Sequence, residues 1–337
     1  VRPESYAEIN NFYTLTVYIK GAEVVRMLAN LLGPDLFRKG CDHYFDHYDG
    51  QAVTTEEFVS AMEHASGLDL SQFRLWYDQG GTPKLTAQGN YDAELARYTL
   101  TVAQQCPPTP DQDQKKPFHI PLATALFDRS GQTMKTTIGA QEDPKHEHML
   151  SFCHQEQQFV FDGVVEEPVV SLLRRFSAPV ELESDLSDDE LAILMAHDND
   201  PFNRWDAGQR LSSTEILRAI EAAVEGNSYS LNEPFAVAFE NTLRLDFDDR
   251  SFQAYALTLP DQTHLSQITP IIEPDRIHQA RKTVKLILAR RFTDDFEALY
   301  HRLEATTGSD QTNSINSGQR ALRNTCLSYL MALEQPE

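Results

Sequence analysis

The chain has 337 residues, with 51 acidic side chains against 29 basic ones and a formal net charge of -22. That balance excludes nucleic acid and anionic membrane as partners, because both are bound through basic surfaces. No apolar run approaches the roughly 20 residues of a membrane span, and the N-terminus has no signal-peptide pattern.

Hydrophobic residues make up 41% of the chain, enough to bury real cores, and the length predicts two or three domains. The four cysteines, Cys41, Cys106, Cys153 and Cys326, are scattered and form no Cys-x-x-Cys, as in a reduced cytoplasmic protein.

In chain order, a polar and aromatic run, Asn10 to Lys20, leads into an apolar-periodic helix at Gly21. Val24 or Val25, Leu28 and Leu31 or Leu32 recur at helical spacing until Gly33-Pro34. Tyr18 is expected in the first turn or just before it, where a phenol can donate a hydrogen bond into a cleft. Pro34 suits a first helical position, with Phe37, Cys41, Tyr44 and Tyr48 as the apolar stripe. Thr54-Thr55-Glu56-Glu57 reads as a capping box, with Ser66-Gly67 as the stop. Ser71 is read as the cap of a short helix holding Phe73, Trp76 and Tyr77.

Gly80-Gly81-Thr82-Pro83 breaks the pattern, and the period changes from helical to two. Tyr98 to Val102 alternates as a half-buried strand. Ile120 to Phe127 and Thr133 to Ile138, with Ser130-Gly131 between them, read as a hairpin. Phe159 to Phe161 and Val169 to Leu173 add strands, which together predict a small β-sandwich. His119, His146, His148 and His154 fall in this stretch and carry no assigned role.

From about Glu183 the period is helical again. Ser187-Asp188-Asp189-Glu190 opens one helix, Trp205 to Ala223 forms another, Pro274 to Leu303 a long pattern, and Gln319 to Leu333 a last one. Helices joined by short polar turns with no strands suggest an α-solenoid, although no fixed repeat period is visible.

Asn10-Asn11-Phe12-Tyr13-Thr14-x-Thr16-Val17-Tyr18-x-Lys20-Gly21-Ala22-Glu23-Val24 resembles the catalytic-tyrosine segment of bacterial aminopeptidase N, the alanyl aminopeptidases of the zinc gluzincin family. Ile19 stands where that family usually has Glu. Leu75 to Pro83, Thr109 to Gln112, Pro117 to Pro121 and Phe202 to Ala207 also look like family segments in family order.

The resemblance implies a multidomain α+β chain. Residues 1–81 would be the helical end of a thermolysin-like catalytic domain, 82–182 a β-sandwich, and 183–337 the start of an α-solenoid-like helical domain. It also implies a zinc-dependent aminopeptidase that releases N-terminal residues from peptides, cytoplasmic and monomeric when complete. Tyr18 would stabilise the tetrahedral oxyanion, and Tyr13 and Asn10 would line the pocket for the first side chain.

In the family two histidines and a glutamate hold zinc, and a second glutamate polarises water. The His-Glu-x-x-His signature that does this is absent here, as is the substrate-gripping Gly-x-Met-Glu-Asn loop. His146-Glu147-His148 has the wrong spacing, and Tyr44 stands between His43 and His47 where the glutamate is required. The chain therefore reads as a C-terminal fragment that begins downstream of the zinc motif, holds no zinc ligand and is inactive alone. A non-catalytic sandwich and solenoid scaffold that binds peptides or proteins is the alternative. The complete tyrosine string argues against it.

Overall fold

The computed structural model describes residues 7–8, 10, 13–110, 112–139, 143–269, 271–306 and 314–333. Asn11, Phe12 and Asp111, within the motifs quoted above, lie outside them. Two compact units emerge, Val1–Asp185 and Leu186–Glu337.

The first unit begins with a π-helical turn, Thr16–Lys20, continuous with α1 (Gly21–Leu32). Val24, Met27, Leu28 and Leu32 form the buried face of α1, as the spacing predicts. Then come α2 (Pro34–Tyr48), α3 (Thr55–Ser66) and α4 (Leu75–Asp78). The Thr54 capping box forms as read: its hydroxyl accepts from the Glu56 amide, and the Glu57 carboxylate accepts from the Thr54 amide at 2.8 Å. Ser71 does not cap α4. It is instead held by Asp69, whose carboxylate accepts from the Ser71 amide at 2.9 Å.

The sandwich has a five-stranded sheet in the order β4-β6-β2-β1-β8 and a three-stranded sheet in the order β5-β3-β7. The larger sheet holds β1 (Lys84–Asp92), β2 (Arg97–Gln105), β4 (Thr137–Ile138), β6 (Glu156–Asp162) and β8 (Glu181–Ser184). The smaller holds β3 (Ile120–Phe127), β5 (His148–Phe152) and β7 (Val169–Ser171). Every pairing is antiparallel except β1 with β8.

The hairpin expected between Ile120–Phe127 and Thr133–Ile138 forms only in part. Phe127 bridges Thr133, and the Met134 amide donates to Leu126 at 2.8 Å. The chain then crosses to the other sheet, where β4 pairs with β6. β1 was not anticipated from its sequence. Its Gly89 leaves room for a cross-strand ring, since a Cβ there would lie 1.8 Å from the Tyr98 hydroxyl.

One hydrophobic core runs through both the helical segment and the sandwich. Trp76, 1% exposed, packs tilted against Phe118 with ring centroids 4.4 Å apart and donates its indole N–H to the His119 carbonyl at 2.8 Å. Gln72 donates to the carbonyls of Pro117 and Cys153. Buried Gln104 is satisfied in the same region, donating to Phe118 and His154 and accepting from the Phe118 amide. A buried amide left unpaired would cost about 1–3 kcal/mol, so these bonds fix how the loops cross the core.

The second unit consists of α5 (Asp188–His197), α6 (Pro201–Glu225), α7 (Glu233–Arg244), α8 (Arg250–Ala256), α9 (Gln262–Ile268), α10 (Pro274–Arg291), α11 (Thr293–Thr306) and α12 (Ser314–Leu333). Ser187 and Glu190 form the capping box of α5. The long pattern from Pro274 to Leu303 is two helices that meet at Phe292, which turns inward onto Phe239 with ring centroids 5.9 Å apart. Phe235, Phe239, Phe296 and Tyr329 complete this aromatic core.

Glu215 is 1% exposed and fully bonded. It accepts from Arg218 at 2.6 Å, the Tyr229 hydroxyl at 2.7 Å and the Asn232 amide at 2.9 Å. Among the described residues no helix is long and apolar enough to cross a membrane. All four cysteines are free.

Candidate active-site tyrosine and its supports

Tyr18 lies within the π-helical turn, where the Gly21 amide reaches back to the Thr16 carbonyl and the Tyr18 amide donates to Thr14 at 3.2 Å. Single π-turns inside helices recur at functional sites because they re-aim one side chain. Here the phenol stands 60% exposed, and its hydroxyl has no hydrogen-bond partner among the described residues.

Tyr13 is brought beside it, the two rings stacking with centroids 6.1 Å apart. Asn10 sits one turn earlier, its carbonyl accepting from the Tyr13 amide at 3.3 Å. The three residues read from the sequence are thus neighbours on one exposed edge, together with Leu15 and Ile19, which are also exposed.

Three contacts that the sequence did not reveal hold this edge. Lys20 donates to the Gly81 carbonyl at 2.9 Å and lies 5.9 Å from the Trp76 ring. Burial lowers the pKa of its ammonium, while Cys106 acts in the opposite sense. Gly81 has φ of +94°, and a Cβ there would meet the Cys106 sulfur at 2.8 Å. Only glycine fits that break, because it combines left-handed backbone with a close neighbour.

Arg26, two turns after Tyr18 on α1, donates to the carbonyls of Arg175 at 2.6 Å and Phe176 at 2.8 Å. Its guanidinium also pairs with Glu23. Leu173, Arg175 and Phe176 have φ of 55°, 55° and 50°. Such residues cost on the order of 1–3 kcal/mol each and persist only where the surroundings over-determine them. Arg26 and the Glu147 carboxylate, which binds Arg174 and Arg175, supply those restraints. Asn30 adds a longer bond to the Ser177 carbonyl. The tyrosine edge therefore stands on a helix fixed along its length to the sandwich.

Among the described residues no group of three or more metal-donor side chains suited to an ion occurs, around His43 and His47 or elsewhere. The α2–α3 contact is instead close at Gly40, where a Cβ would meet the Met62 sulfur at 2.4 Å. One turn on, His43 stacks on His64 with centroids 4.1 Å apart and lies tilted against His47 at 3.9 Å. His47 directs its Nδ1 to the His43 carbonyl at 2.9 Å.

Burial and then the two neighbouring imidazoles hold the His43 pKa below its ordinary value, with Asp46 opposing them. The neutral form is therefore the packed one. Its contribution is complete above pH about 6.5 and is lost as pH falls through the depressed folded value. We expect His64→Ala to raise the His43 pKa, read from the imidazole C2–H resonance. An unchanged titration would mean the stack does not interact.

With this geometry established, comparison with known proteins is informative. Residues 1–77 match the peptidase family M1 domain. Residues 81–185 match a domain of unknown function (DUF3458) with an Ig-like fold, and residues 188–337 match its C-terminal companion, described as ARM repeats. The chain is 42% identical to the Escherichia coli (strain K12) aminopeptidase N over 98% of its own length, and 39% identical to that of Haemophilus influenzae over 98%.

The chain is similar along nearly its whole length to bacterial aminopeptidases N, and its first 77 residues match the peptidase family M1 domain. It spans 37% of the length of these two relatives. A crystal structure of Legionella pneumophila aminopeptidase A in complex with aspartic acid superposes with a TM-score of 0.85 at 25% identity, covering 99% of this chain and 37% of that one. The expected architecture, a helical end of the M1 domain, an Ig-like sandwich and an ARM-like helical array, is the one observed. Within M1, the tyrosine edge falls in the part matched by the peptidase domain itself.

Proposed function

We propose that this chain is the tyrosine-bearing part of a zinc-dependent aminopeptidase that releases N-terminal residues from peptides. The observation that carries the reading is the exposed Tyr18 phenol, with no hydrogen-bond partner among the described residues, on a π-turn braced by Lys20 and Arg26. A preorganised O–H donor on a rigid support can meet an oxyanion without reorganising, which is where hydrogen bonding lowers a barrier most.

In this reading Tyr18 donates to the tetrahedral oxyanion. Tyr13, stacked against it, and Asn10 line the pocket for the first side chain. Exposed Leu15 and Ile19 offer apolar surface on which the remaining catalytic domain can close.

No cluster of metal donors among the described residues fits zinc, so no step is assigned to a metal held by this chain. The ion and the general base are assigned to other residues of the enzyme. The same reading divides the chain at 1–81, 82–182 and 183–337 and places the enzyme, as a monomer, in the reducing cytoplasm. The four free thiols suit that compartment.

Hydrolysis of an alanyl chromogenic substrate tests the reading. The source protein is expected to be active and to lose activity to a zinc chelator, while the 337-residue chain alone has none. Chelator-resistant hydrolysis by the isolated chain would refute it.

A further inference from the structure

Residues 186–337 carry 24 acidic and 14 basic side chains, yet α10 alone holds six basic residues and one acidic one. Two of the six, Arg281 and Lys285, stand one turn apart and line a cavity of about 220 Å³ with Thr258, Asn324, Ser328 and Tyr329. No acidic side chain lines it. Among the described residues neither cation has a carboxylate partner, and the proximity of Arg281 adds to burial in lowering the Lys285 pKa. Two like charges held one turn apart repel each other, and a bound anion would relieve that repulsion.

Three groups of the cavity keep donors free: Lys285, Arg281 and Ser328. Lys285 donates one N–H to Ser328 Oγ at 2.5 Å and lies 5.4 Å from the Tyr329 ring, leaving its other N–H groups open. Since Ser328 Oγ accepts from the lysine, its own proton is available to donate. Arg281 spends Nε on the Pro260 carbonyl at 2.7 Å and Nη2 on that of Leu259 at 3.3 Å, which leaves Nη1. Tyr329, Thr258 and Thr325 spend their hydroxyl protons elsewhere, on the carbonyls of Leu257 at 2.7 Å, Ala254 and Ala321, so they are not counted among the donors. Asn324 completes the rim with its side-chain amide.

We infer that this cavity binds a small tetrahedral oxyanion, either inorganic phosphate or the phosphoryl group of a small phosphomonoester, between Lys285, Arg281 and Ser328. Two adjacent cations match a dianion, whereas a single carboxylate would neutralise only one of them. Arg281 also fixes the Leu259–Pro260 loop, so Lys285 is the residue whose loss removes the ligand contact with least disturbance to the fold.

The test is calorimetric titration of the 337-residue chain at low ionic strength with inorganic phosphate, methyl phosphate and acetate. Saturable one-site binding of at least one phosphate probe is expected, the tighter of the two marking the source, with acetate at least about tenfold weaker. Lys285→Gln removes a charge-assisted hydrogen bond and should weaken binding by about tenfold or more. Ser328→Ala, on an exposed position, should weaken it by a few fold, and Lys285→Arg should retain most of it. Absence of saturable binding, acetate binding as tightly as phosphate, or unchanged affinity in both Lys285→Gln and Ser328→Ala would overturn the proposal.

Discussion

Tyr18→Phe in the complete aminopeptidase is expected to lower kcat about 10²–10³-fold while KM changes by no more than a few fold. That is the usual cost of removing one oxyanion donor. Removing an interaction made only in the transition state lowers kcat and kcat/KM together. The substitution should leave stability unchanged within about 0.5 kcal/mol, because the phenol is exposed and its hydroxyl makes no hydrogen bond among the described residues. A large loss of rate without loss of stability separates a chemical role from a packing one. Tyr13→Phe, which keeps the ring that stacks on Tyr18, should cost far less. If Tyr18→Phe kept kcat within about threefold, the oxyanion role would be lost, although the family assignment would stand.

Trp76→Ala is expected to destabilise the first unit by about 3–5 kcal/mol, the range for deleting a large buried aromatic. For a unit of this size that corresponds to a fall in Tm on the order of 10 °C. The reason lies in what Trp76 joins. It is carried by α4, packs against Phe118 of the sandwich, donates to the His119 carbonyl and lies beneath Lys20. Removing it opens the shared core and leaves a buried carbonyl without its donor. Helical and strand signals should therefore melt together at the lowered temperature in circular dichroism. If the helices melted early while the strand signal kept its original midpoint, the shared core would not be one cooperative unit.

What could be read directly from the chain was local. The Thr54 capping box, the helix start at Ser187, the alternation around Tyr98 to Val102 and the break at Gly80-Gly81 all depend on residues within a few positions of one another. The string around Tyr18 is likewise contiguous, and it pointed to the bacterial aminopeptidases to which the chain is similar. Strand β1 escaped because Gly89 and Asn90 are poor strand formers. Its place depends on β2 and β8 and on Tyr98 filling the space above Gly89. The division of α10 from α11 depended on Phe292 meeting Phe239, more than 50 positions away in sequence.

The sequence by itself therefore determined the order of most elements, the family resemblance and the identity of the candidate tyrosine. Only the tertiary structure decided how that tyrosine is held: by Lys20 on the Gly81 carbonyl and by Arg26 on the strained turn at Leu173 to Phe176. It also decided that the helices and the sandwich share a core, and that Lys285 faces Ser328 rather than a carboxylate. The physical reason is the same in each case. Caps, turns and periodicity are set by neighbouring residues, whereas a long-range hydrogen bond or an unneutralised charge exists only once packing has brought distant residues together.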